Sequence, residues 1–270
     1  MHDDVQQLSL FGAPASSRSP GEAPPEAPAP APSPRHQATL FGEPLPLAVA
    51  EASPGPVQPK PGVPVAPRAA VPPAGRGAAL SPQERELALT RLAEEAAGCR
   101  RCPLRAGCRQ VVFGEGNPHA TLMLVGEGPG AQEDLEGRPF VGRAGQLLDK
   151  MLEAIGIGRS EVYIANVVKC RPPGNRVPAP AEQEACVPYL REQMELIRPE
   201  LVLCLGATAA RRLIDPRFSV TRDHGVWYQR DGREVMATFH PAALLRDPGK
   251  KRLAWDDLRK LQAAYLGRTG

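Results

Sequence analysis

Six cysteines are the residues in this sequence whose type and spacing most directly suggest chemistry. Cys99 and Cys102 form a C-x2-C pair inside AGCRRCPLRAGC, a spacing that lets two thiolates reach one metal centre. Cys170 and Cys186 flank a Pro- and Gly-rich stretch, RPPGNRVPAP. Four thiolates suit zinc or a [4Fe–4S] cluster equally well, and spacing alone leaves both open. Cys204 lies in LVLCLG and reads as a small core residue, while Cys108 is balanced between core and ligand roles. Three polar segments also stand at the ends of apolar runs: GEGPG at 126–130, NVVKCRPPGN at 166–175 and FHPA at 239–242.

The runs that carry these segments have the length of strands. TLMLVG (121–126), EVYIANVVK (161–169), ELVLCLG (200–206) and EVMATF (234–239) read as four buried strands. Helical spacing predicts helices over 82–97, 143–156, 181–197, 207–214 and 250–265, the first capped by Ser81 with Pro82 in its first turn. Strands alternating with helices imply a three-layer α/β/α domain around a central four-stranded, mostly parallel sheet. Ligands of such sheets bind beyond the carboxyl ends of the strands, so the three polar segments should converge on one crevice.

Composition divides the chain. Of 32 prolines, 18 fall in the first 80 residues, which hold only two aromatics, Phe11 and Phe41. Such a stretch cannot bury enough apolar surface to offset its ordering entropy, so residues 1–80 read as a disordered Pro/Ala-rich tail and 81–270 as the globular domain. The tail carries a net charge of −1 and the domain +4, a balance compatible with nucleic acid. No apolar run reaches membrane-spanning length, and MHDDVQQ lacks the features of a secretion signal, so a cytoplasmic location is expected. In that reducing setting the cysteines are not expected to form disulfides.

From about Leu92 to Leu266 the chain resembles the family 4 uracil-DNA glycosylases, the iron–sulfur branch of that superfamily. The segments that carry the likeness, in the family's order, are VVFGEGNPHATLMLVGEGPGAQEDLEGRPFVGRAGQLLDKML, YIANVVKCRPPGNRVP, LGATAA and FHPAALLR. The resemblance implies a [4Fe–4S] cluster held by Cys99, Cys102, Cys170 and Cys186, with a structural role, and leaves Cys108 and Cys204 out. It further implies an enzyme that hydrolyses the bond between deoxyribose and uracil in single- or double-stranded DNA, as a nucleoid-associated monomer. A base must leave the helix before such chemistry can reach it.

Site residues follow by position. Phe140 resembles the family's stacking wall, and Asn166 can donate to uracil O4 and accept from N3–H, a pairing that cytosine cannot satisfy. His240 can donate to O2 as negative charge builds there. Glu127 and Asn175 are both placed to orient the attacking water. Glu133 looks like the residue beside uracil C5 that crowds out thymine's methyl group. Gly126, Gly128 and Gly130 let main-chain amides approach the base or a phosphate. Leu244 resembles the wedge that fills the gap left by the flipped base, with Arg143 and Arg246 as phosphate contacts. No lysine takes the position of an attacking amine, so hydrolysis without strand cleavage is expected. The stretch after Cys170 has neither the histidine nor the insertion of a DNA-cross-linking branch.

The tail holds a short repeat, QLSLFG at 7–12 and QATLFG at 37–42. Gln7, Leu8, Leu10 and Phe11 resemble the peptide by which bacterial replication and repair proteins bind the sliding clamp, and residues 37–41 are a looser copy. Leu10 and Phe11 would enter an apolar pocket and Gln7 would add a hydrogen bond. Two readings compete with the enzyme: a non-catalytic iron–sulfur DNA-binding module, and a zinc protein that uses GEGPG for phosphates.

Overall fold

Period-two alternation is hidden in runs that look uniformly apolar. In a computed structural model, which describes residues 80–269, Met123, Val125, Val202 and Cys204 point to one face of a sheet and Leu122, Leu124, Leu201 and Leu203 to the other. All eight are fully buried, so each face needs a covering layer. The strands are β1 (Glu115–Gly116), β2 (Leu122–Gly126), β3 (Tyr163–Asn166), β4 (Leu201–Leu205), β5 (Trp227–Arg230) and β6 (Arg233–Thr238). They form one sheet in the order β1-β3-β2-β4-β6-β5. β3, β2, β4 and β6 pair parallel, and β1 and β5 are antiparallel edges.

The described helices are α1 (Pro82–Ala97), α2 (Leu104–Gly107), α3 (Ala131–Glu136), α4 (Arg143–Ala154), α5 (Pro180–Ile197), α6 (Ala207–Leu213), α7 (Val220–Asp223), α8 (Pro241–Arg246) and α9 (Lys251–Thr269). Residues of α1, α5 and α6 cover one face of the sheet, and residues of α4, α8 and α9 cover the other. The three-layer α/β/α architecture is therefore present. At the start of α1, Ser81 and Glu84 make a reciprocal capping box, with Glu84 N–H donating to Ser81 Oγ at 3.3 Å.

The expected four strands form the parallel centre, and two edge strands add to them. β1 has only two residues, Glu and Gly, too few for any periodicity to register. β5 is half-exposed and joins β6 through Asp231-Gly232, both at positive φ (49° and 75°), the two-residue hairpin turn that an Asp-Gly pair favours. The second strand, expected over 161–169, stops at Asn166 because the chain then turns toward the cysteine cavity. No described helix is long and apolar enough to cross a membrane. The expectations for residues 1–79, including both clamp-like peptides, lie outside the described residues.

Candidate active site

The carboxyl ends of β2, β3 and β6 supply Gly126, Asn166 and, two residues past β6, His240. A Cβ on Gly126 would run into Asn166 Oδ1 and come within 2.5 Å of Phe140 Cζ, so glycine is the side chain that lets these groups share one pocket. Asn166 is 1% exposed. Its Oδ1 is buried with no hydrogen-bond partner, an arrangement that costs stability and marks an acceptor waiting for a ligand.

Phe140 stands opposite, 5% exposed and at φ 52°, which an aromatic residue rarely adopts. Two features hold that strained turn. Gly145, in the first turn of α4, lies so close to the Phe140 main chain that any Cβ would collide with its carbonyl. Arg159 donates to the carbonyls of Pro139 (2.6 Å) and Phe140 (3.2 Å) while pairing with Glu115 and Asp149 (both 2.7 Å). Both Glu133 oxygens also serve this loop: they accept from the main-chain N–H groups of Gly130 (3.1 Å), Val141 (2.9 Å) and Gly142 (2.9 Å).

His240 caps α8, and its Nδ1 accepts from Ala242 N–H at 3.1 Å. The imidazole proton is thereby assigned to Nε2. Burial, reinforced by Arg246 and opposed by Glu133, pushes the His240 pKa down to about 4, so the ring is neutral at physiological pH. Its ring lies 5.6 Å from that of Phe140. Below it, the end of β6 is anchored by Thr238, which donates to Asp257 at 2.6 Å, and Asp257 in turn holds His224 Nδ1 at 2.9 Å.

The two water-orienting candidates have different surroundings. Glu127 accepts from Thr208 Oγ1, on the first turn of α6. Asn175 sits in an exposed turn at φ 55°, where its Oδ1 accepts from Arg171 Nε at 2.8 Å. Arg143 and Arg246 are exposed at the ends of α4 and α8. Without DNA, Leu244 is fully buried against the face that α4 and α9 cover, whereas its neighbour Leu245 is 38% exposed. Along α8 a shift of one residue turns a side chain by about 100°, which separates core from surface.

Cys99, Cys102, Cys170 and Cys186 line one small cavity with Lys169 and Tyr189. No group of three or more His, Cys, Asp or Glu side chains among the described residues is placed to hold a single metal ion. An all-thiolate donor set spread around a space, with no carboxylate or imidazole in the lining, fits a polynuclear iron–sulfur cluster, which takes one thiolate per iron. Cys108 is not part of the lining; its thiol contacts Cys170 and donates to the Arg105 carbonyl at 3.6 Å. Cys204 is fully buried in β4, as its apolar run implied.

The model of the uracil-DNA glycosylase superfamily matches residues 113–259. A type-4 uracil-DNA glycosylase of Thermotoga maritima is 47% identical over 159 residues, covering 57% of this chain and 82% of that protein. The type-4 enzyme of Archaeoglobus fulgidus is 47% identical over 156 residues (55% and 78%), and that of Sulfurisphaera tokodaii 43% over 158 (55% and 72%). The chain belongs to the type-4 uracil-DNA glycosylases.

In this glycosylase the structure adds three residues that the sequence had not singled out. Lys169 is fully buried; its Nζ donates to the Asn166 carbonyl (3.0 Å) and to Gln193 Oε1 (2.6 Å), and its N–H to Cys186 Sγ (3.2 Å). Burial pulls the Lys169 pKa down to about 8, with Cys186 opposing. A cation inside an apolar strand run was its visible signal. Thr208 lay in LGATAA, a segment that carried the family likeness without a role. Nothing in the sequence marked Arg159.

Proposed function

We propose that this protein removes uracil from DNA by hydrolysing the bond between C1′ and N1, releasing free uracil and leaving an abasic site. The observation that carries the reading is the unpartnered, buried Oδ1 of Asn166, which meets Phe140 over Gly126, with the ring of a neutral His240 5.6 Å from that of Phe140. A flipped uracil stacked on Phe140 satisfies that acceptor with its N3–H, while Asn166 Nδ2 donates to O4. As the bond breaks, the sugar gains oxocarbenium character and the base becomes an anion. His240 Nε2–H, fixed by the Ala242 hydrogen bond, then donates to O2 where the charge develops. A neutral donor suits this task, because it stabilises the anion without giving up its proton.

Glu127, or Asn175, orients the water that attacks C1′. Gly126 and Gly128 bring main-chain amides to the base, and Glu133 places bulk beside C5 against thymine. Arg143 and Arg246 bind phosphates. Leu244, or its exposed neighbour Leu245, supplies the wedge. The Lys169 amine is committed to two acceptors, in keeping with hydrolysis that leaves the strand uncut.

Cys99, Cys102, Cys170 and Cys186 are the residues that would hold a [4Fe–4S] cluster, which when bound supplies a four-point cross-link between the 99–102 loop and the segments bearing Cys170 and Cys186. Residues 81–270 form the catalytic domain, acting as a nucleoid-associated monomer on single- and double-stranded DNA. Residues 1–80 form a tether whose Gln7, Leu8, Leu10 and Phe11, seconded by 37–41, bind the sliding clamp. The reading is tested by incubating iron-loaded protein with uracil-containing single- and double-stranded DNA and measuring free uracil. Bound but intact substrate would favour the non-catalytic module. Deleting residues 1–45 should abolish clamp binding and leave excision of short oligonucleotides unchanged; a deleted chain that still binds the clamp removes the tether.

A further inference from the structure

Thr208 is 8% exposed and lies 81 residues from Glu127 in sequence, yet its hydroxyl donates to Glu127 Oε2. We propose that Thr208 is a positioning residue for the excision reaction, holding one oxygen of the Glu127 carboxylate so that the other is presented to the attacking water. The inference rests on the reading that Glu127, rather than Asn175, orients that water.

Three observations lead here. First, the bond anchors Oε2 alone, and Glu127 Oε1 is not among the buried atoms lacking a partner, so solvent reaches it. One anchored and one wet oxygen is the arrangement that aligning a water requires. A carboxylate hydrogen-bonded on both sides could not do this, and one free on both sides would sample many rotamers.

Second, the turn that carries Thr208 is fixed to the other half of the site. Gly206, the residue before α6, has φ 92°, and a Cβ there would approach His240 Cβ to 3.0 Å. Gly206 and Thr208 are thus two residues apart on one turn, with one against His240 and the other bonded to Glu127. The junction of β4 and α6 thereby sets the spacing between the group that stabilises the leaving base and the group that places the water. Third, Asn175 has no comparable support: its turn is exposed and its side-chain oxygen is engaged by Arg171.

The experiment compares Thr208→Val, nearly isosteric but without the hydroxyl, with Thr208→Ser, which restores it. Single-turnover excision and DNA affinity are measured on iron-loaded protein whose melting temperature is recorded. Thr208→Val should slow excision about 10- to 100-fold, the range for a lost hydrogen bond to a charged group. DNA affinity should stay within about twofold, and Thr208→Ser should return most of the rate. If valine is not accommodated, Thr208→Ala is measured in its place.

A double-mutant cycle with Glu127→Ala separates the two layers. If Thr208 acts through Glu127, the double variant is no slower than Glu127→Ala alone. Excision within twofold of the parent in Thr208→Val, or an equal further loss in the Glu127→Ala background, overturns the role of Thr208. Full activity in Glu127→Ala instead overturns the Glu127 reading itself and leaves Asn175 as the water-orienting residue.

Discussion

The base pocket and the cysteine cavity lie a few residues apart along the chain, with Asn166 in one and Cys170 in the other, yet they are built by opposite strategies. The pocket is assembled from strand ends, and each of its groups is held by protein atoms: His240 by its own helix cap, Phe140 by Arg159 and Gly145, Glu127 by Thr208. Its buried unpaired acceptor is the Asn166 Oδ1 that a substrate would fill. The cavity is assembled from loops and helices, and its thiols gather around a common space. The contrast teaches that geometry demanding fine placement is entrusted to the sheet, whereas the loops are the part that the proposed cluster would cross-link. Lys169 joins the two regions, with its Nζ on the Asn166 carbonyl and its N–H on Cys186.

The largest effect should come from removing the hydrogen-bond donor that faces the charge developing on O2. His240→Ala is expected to slow excision about 10²- to 10³-fold, as for loss of a donor to a developing anion, with iron content unchanged. A parallel loss of iron would break the separation of the two regions. The pH dependence sharpens the same point. With the His240 pKa near 4, the excision rate should be flat between about pH 6 and 8, where an ordinary imidazole titrates near 6.5. The sign for stability follows: the unfolded chain takes up a proton below about 6.5 that the folded site refuses until about 4. His240 therefore makes stability fall as pH drops through that window, and His240→Asn should remove its share of the slope in chemical denaturation.

Next in size is Gly126→Ala, whose Cβ must displace Asn166 and Phe140 together. A shift of about 1 Å in reacting groups costs about 10²-fold in rate, and single-turnover kinetics with iron analysis should show that loss with the cysteine cavity intact.

Cys186→Ala attacks the other region. It should deplete iron, lower the melting temperature by several degrees, and reduce excision about tenfold, because Lys169 links Cys186 to the Asn166 carbonyl. Normal iron in the Cys186→Ala protein would refute its place in the ligand set. The smallest effect belongs to Cys108→Ser, which should retain iron and excision rate within about twofold, since Cys108 lies outside the cavity lining.

Much of this was legible in the chain. Uninterrupted apolar runs separated by helical periodicity specified a parallel sheet between two helical layers, because strands buried on both faces must read that way. Glycines and polar residues at the ends of those runs pointed to the crevice, cysteine spacing pointed to the Cys99–Cys102 pair, and the family resemblance supplied Cys170 and Cys186. What stayed hidden were contacts between residues far apart in sequence. Arg159 reaches back to Pro139 and Phe140, and Thr208 reaches Glu127 across 81 residues. Local patterns carry no trace of such pairs, since it is the crossover connections of the sheet that bring them together.

Leu244 shows the limit most plainly. Residue type and spacing made it resemble a wedge, and only the packing of α8 against the sheet decided that Leu244 faces the core and Leu245 faces outward. The chain by itself thus determined which elements form and which residue types stand at their ends, because propensity and periodicity act over a few residues. Tertiary structure alone decided which oxygen is left unpaired, which nitrogen of His240 carries the proton and which leucine reaches solvent, because each of these depends on the close packing of elements distant in sequence.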